Sequence, residues 1–136
     1  MNTEKITLNI SAIDLANIDL LVENGFASNR SELLKTAIKH YLSNLGNETK
    51  KLIQIEEMQA EKSKYHWVFG GHRLSLNDVE KCIDSNEKIT YVIYGILLVE
   101  KGVSLSKLKK CITGIKVYGI IKANKEIKDF IKNSSF

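Results

Sequence analysis

KITLNIS, residues 5–11, alternates Lys5, Thr7, Asn9 and Ser11 with Ile6, Leu8 and Ile10. That is the period-two pattern of a strand with one buried face. A lone strand leaves its backbone amides and carbonyls unpaired and does not hold its shape in water. No neighbouring stretch offers a hairpin partner, so the economical partner is the same strand of a second chain. The expected product is a two-stranded antiparallel ribbon whose polar face carries Lys5, Thr7 and Asn9.

Two helices are expected to follow. The first runs over 12–23, with Ser11 and Asp14 spaced as a capping box and Leu15, Ile18, Leu21 and Val22 on one stripe. Asn24-Gly25 supplies its stop. The second runs over 29–42, with Leu34, Ile38, Tyr41 and Leu42 on its buried face. Ser28 or Asn29 is its N-cap, the latter with Glu32 three residues on. Free amides at such a helix start suit a phosphate oxygen.

The run ITLNIS…IDLLVENGF..NRSELLKTAIKHYL, about residues 5–42 without a gap, resembles the ribbon-helix-helix DNA-binding proteins of the Arc/MetJ/CopG-like group. The resemblance implies an intertwined β-α-α homodimer that places its ribbon in the major groove of double-stranded DNA. Lys5, Thr7 and Asn9 would then face base edges, and Ser28, Asn29, Arg30 and Ser31 would contact phosphates. The side-chain chemistry agrees. Asn pairs bidentately with adenine, Lys donates to guanine O6 or N7, and Thr bonds a base edge or touches a thymine methyl. The bland reading of the same three residues is a solvated strand face.

Charge is unevenly placed. Residues 1–46 hold four Lys and Arg against five Asp and Glu, whereas the remainder holds sixteen against eleven. Phosphate neutralisation supplies most non-specific DNA affinity. Strong binding is therefore expected to draw on two dimers acting together or on cations beyond the ribbon.

Residues 1–44 are read as the ribbon-helix-helix domain, 45–64 as a helical linker and 65–136 as a small α+β domain of about three strands and three helices. In the linker, Leu52, Ile55 and Met58 suggest a short amphipathic helix after a break at Gly46. In the last domain a strand near 65–69 leads through Gly70-Gly71 to a helix over 76–85. An apolar strand over 89–99, a helix over 105–113, a strand over 115–122 and a helix over 125–132 follow. Strands 89–99 and 115–122 are apolar on both faces, as in a sheet covered on both sides or at a subunit contact. SLNDVEKCI (75–83) and SLSKLKKCI (104–112) echo one another, each followed by a Tyr-Gly-Ile at 94–96 or 118–120. Two similar capped helices, or a decayed helix–strand repeat, account for the echo. Residues 87–132 also resemble the tail of longer CopG-family regulators, at Glu87-Lys88-Ile89, Gly95-Ile96-Leu97 and residues 115–123. This tail is expected to pair within the dimer or to join two dimers.

Other function classes find little support. His66, His72, Cys82 and Cys111 lack a compact ligand spacing, so no metal is expected. Two cysteines are too few for a disulfide framework. No nucleophile constellation or phosphate loop is present, so neither enzymatic activity nor a cofactor is expected. No apolar run is long enough to span a membrane, and no signal-peptide core precedes the ribbon, so a cytoplasmic location is expected. The favoured function is a sequence-specific transcriptional regulator, a repressor. The alternative is an antitoxin or plasmid maintenance regulator, with a toxin or a small-molecule effector as a further partner. Antitoxin tails are usually polar, whereas this one has enough apolar sequence to bury a core.

Overall fold

The computed structural model describes residues 2–134. Among them the chain is an α+β protein of six helices and three strands. The order is α1 (Ala12–Glu23), α2 (Arg30–Asn44), α3 (Gly46–Ser63), β1 (His66–Leu74), α4 (Leu76–Asp84), β2 (Ile89–Val99), α5 (Leu105–Cys111), β3 (Ile112–Lys122) and α6 (Lys125–Asn133). Two compact units divide it. One is Glu4–Ile55; the other is formed from Glu56 onward together with the residues ahead of Glu4. The boundary falls inside α3, a single 18-residue helix where a shorter one was expected.

The larger unit is a parallel three-stranded sheet in the order β1-β2-β3. Parallel neighbours need a crossover, and α4 and α5 supply it. Ser75, Ser104 and Asn124 cap α4, α5 and α6 by accepting the amides of Asp78, Lys107 and Ile127. Each helix then buries one apolar pair one turn apart: Val79 and Cys82, Leu108 and Cys111, Ile127 and Ile131. They meet Tyr91, Ile93, Leu97 and Val99 of β2 and Ile115 of β3, which alternate along the strands as period two requires. Burying each aliphatic side chain of this set contributes roughly 1.5–3 kcal/mol.

The two strands expected at 89–99 and 115–122 are present, the second beginning earlier, at Ile112. Gly70-Gly71 is a correction. These glycines do not turn the chain; they lie inside β1, which continues to Leu74. Gly70, Gly95 and Gly119 are aligned across the sheet, and all three have positive φ. A Cβ on Gly95 would collide with the carbonyl oxygen of Gly70, and one on Gly119 with that of Gly95. Close backbone approach at Gly95 and Gly119, and positive φ at all three positions, favour glycine there without any turn.

On the opposite sheet face the residue ahead of each glycine is aromatic. Phe69 and Tyr94 stack with centroids 5.2 Å apart, and Tyr94 and Tyr118 lie 6.3 Å apart. Glu56 and Ala60 of α3 meet this side, where the Tyr118 hydroxyl donates to Glu56 at 3.0 Å and Ala60 is buried. Coverage is incomplete, since Phe69 is 66% exposed.

The smaller unit differs from its expectation at residues 5–11. They form no strand, and the first strand of the chain is β1. A strand is held by a hydrogen-bonded ladder, and a single chain contains no partner for this one. The two following helices lie where the apolar stripes put them, α1 over the expected residues and α2 running two residues further.

Candidate nucleic-acid interface

Lys5, Thr7 and Asn9 are exposed, and so are the alternating apolar residues between them. Ile6 is 80% and Leu8 57% exposed. Ser11 ends the segment as the N-cap of α1: its hydroxyl accepts the Asp14 amide at 3.1 Å and donates to the Asp14 carboxylate at 2.8 Å.

The turn between the helices is fixed by backbone chemistry. Gly25 has φ +84°, its amide donates to Val22 at 3.1 Å, and the Phe26 amide donates to Leu21 at 3.1 Å. This pair of bonds closes a helix with a left-handed residue after its cap, a site where glycine avoids the Cβ clash. The Asn24 side chain satisfies one more carbonyl, donating to Leu20 at 2.7 Å.

At the start of α2, of the two candidate caps, Asn29 does the capping: its side chain accepts the Glu32 amide at 2.9 Å. Glu32 reaches back and accepts the Ser28 amide at 2.8 Å. Hydrogen bonds from Ser28, side chain first and backbone second, hold the Glu32 carboxyl below the usual glutamate value. Ser28 through Ser31 are all exposed. The first-turn amides of Arg30 and Ser31 lie where an α-helix has no acceptor of its own to offer. With the helix dipole behind them, they are suited to an anionic oxygen.

Arg30 has a partner that sequence spacing did not reveal. Its Nε and Nη2 donate to the two Asp19 carboxylate oxygens at 2.7 and 2.8 Å. This forked geometry lowers the Asp19 pKa, through the hydrogen bond first, and raises that of Arg30. The residues are eleven apart on different helices, outside any i,i+3 or i,i+4 rule. The guanidinium thus begins in an ion pair on the exposed surface of the unit.

No residue from Asn2 to Gln59 is buried. Ile13, Leu20, Leu21, Ile38, Tyr41 and Leu42 all remain exposed although α1 and α2 are formed. Apolar stripes of this kind normally face a core. The expected base-facing and phosphate-facing residues are therefore accessible on a unit whose apolar side is also open.

Elsewhere, His66 and His72 lie against the Tyr91 ring at 5.6 and 4.9 Å. Burial pushes the His72 pKa down. The described residues contain no group of three or more side chains able to hold a metal ion. None of their helices is long and apolar enough to cross a membrane.

No curated protein and no solved structure matches the chain. A family description does, and it extends well past the N-terminal segment, so the parallel sheet unit falls within the match as well. The chain belongs to the ribbon-helix-helix transcriptional regulator family, whose pattern it matches over residues 1–128.

Proposed function

We propose that the protein is a sequence-specific DNA-binding repressor acting as a homodimer. Residues 5–11 of two chains pair as an antiparallel ribbon and enter the major groove. Lys5, Thr7 and Asn9 read base edges, while Ser28, Asn29, Arg30 and Ser31 fix the register on phosphates. Neither a cofactor nor a catalytic step is needed.

The observation that carries this reading is the absence of any buried residue between Asn2 and Gln59. Helices of 12 and 15 residues are marginal in water without tertiary packing. A second copy supplies that packing and the missing strand partner together. In the ribbon, Ile6, Leu8 and Ile10 turn toward the helices, and the polar set turns outward.

The alternative of an antitoxin is disfavoured by the unit from Glu56 onward. It buries its own core around β2, whereas antitoxin tails are usually polar and fold only on their toxin. That unit is better suited to joining two dimers, which raises avidity without new DNA contacts.

The test is selection of a preferred duplex from a random library, followed by salt-titrated binding to that site and to a scrambled one. Asn9→Ala is expected to reduce discrimination at one base pair per half-site, costing about 1–3 kcal/mol. An unchanged ratio of specific to non-specific affinity would show that the ribbon does not read bases.

A further inference from the structure

The carboxyl ends of all three parallel strands open into one cavity of about 550 Å³. Its cations are Arg73 from the end of β1, Lys101 from the loop after β2 and Lys122 from the end of β3. Leu98, Val99 and Ala123 give it an apolar floor. In parallel α/β units the carboxyl edge is where ligands bind, because the loops there vary without disturbing the sheet. A volume of this size lies within the range of small-molecule sites.

The charges within the cavity are not equivalent. Arg73 is already committed: its Nε and Nη2 lie 3.0 and 2.9 Å from the same Glu100 oxygen. The other Glu100 oxygen accepts the Leu76 amide at 3.4 Å. Lys122 donates to the Asn2 side chain, a neutral partner, at 2.7 Å. Lys101 has no acidic partner among the described residues. Two ammonium groups thus remain uncompensated beside an apolar surface, while the planar guanidinium that best matches a carboxylate is engaged.

We propose that this cavity is a binding site for a small organic phosphate monoester. Two point charges match a phosphate group carrying about −1.5 to −2 at neutral pH. Lysine ammonium groups bind phosphate as point charges. The apolar floor receives the organic body, so the ester is favoured over free phosphate. The site lies wholly within the larger unit and stands independently of whether the N-terminal unit binds DNA.

The test is amide chemical-shift titration of the full chain with ribose 5-phosphate, glucose 6-phosphate and adenosine 5′-monophosphate, with inorganic phosphate in parallel. The expected result is that at least one ester shifts the amides of residues 98–101 and 122–124 at concentrations up to about 1 mM, and does so more tightly than inorganic phosphate. Lys101→Ala combined with Lys122→Ala should weaken binding by about tenfold or more. Both lysines are exposed, and unchanged urea unfolding followed by Trp67 fluorescence verifies that the variant is folded. Three results overturn the proposal: no localised shift with any ester, equal affinity for ester and inorganic phosphate, or binding unaffected in the folded double variant.

Discussion

Arg30 has two claims on it. In the free chain its guanidinium is forked onto Asp19, whereas in the proposed complex it must reach a phosphate. Removing the competing carboxylate should release it. Asp19→Asn is expected to strengthen binding to specific and scrambled duplexes alike, and Arg30→Ala to weaken both. The salt dependence should fall by about one unit of slope for the arginine variant. Fluorescence anisotropy across a salt series reads both effects, and weaker binding by Asp19→Asn would place Asp19 in a purely structural role. Glu32 gives a pH-dependent counterpart. Its folded pKa is lowered, so the stability it contributes is fully present above the ordinary glutamate value of 4.5 and is lost as pH falls through the lower folded value. The helicity difference between the wild type and Glu32→Gln should therefore be present at neutral pH and vanish in acid. A difference that persisted at pH 2 would rule out the carboxylate bond to Ser28 as its source. Capping is local, so the sequence marked Ser11 as one cap and narrowed the other to Ser28 or Asn29, of which Asn29 is the one used. The Arg30–Asp19 pair was not, because it depends on how two helices cross.

The elements of the sheet unit follow from local patterning, but their joint geometry does not. The Tyr-Gly-Ile echo marked β2 and β3, while Phe69-Gly70-Gly71 reads as a turn when taken alone. Only the parallel register shows that the three aromatic-glycine pairs form one row. A parallel ladder joins residues some 25 apart, and no short-range signal reports that. The row makes a graded prediction. Gly95→Ala and Gly119→Ala force a Cβ against a neighbouring carbonyl, and each should cost about 3 kcal/mol or more through combined clash and backbone strain. Gly70→Ala meets open space and should cost only the strain of its positive φ, about 1–3 kcal/mol. Trp67 is the only tryptophan of the chain and lies in β1, so urea unfolding followed by its fluorescence reads all three variants. Equal losses at the three positions would contradict the crowding account.

At the scale of the whole molecule, the two units differ in what they can do alone. The unit from Glu56 onward has a core of its own, so its unfolding should depend little on protein concentration. The unit of Glu4–Ile55 has none, and its helices should form only with their partner. Folding and association are then one event, and the thermal midpoint of the N-terminal helices should rise with concentration. The order of helices and strands after residue 64 follows from the changes in apolar periodicity, whereas the division between the two units falls inside α3 rather than at either end of the expected linker. The ribbon is not formed by the single chain; its alternation fits a ladder made with another molecule, and on that fit the proposal of a dimer rests.

The central claim is that residues 5–11 and helices α1 and α2 are half of a dimeric fold. Sedimentation equilibrium of the full chain, paired with far-ultraviolet circular dichroism at the same micromolar concentrations, tests it most directly. The account predicts a mass of at least twice the 15.4 kDa of one chain, and a joint loss of association and N-terminal helicity on dilution. A 15.4 kDa monomer that keeps α1 and α2 helical would contradict it.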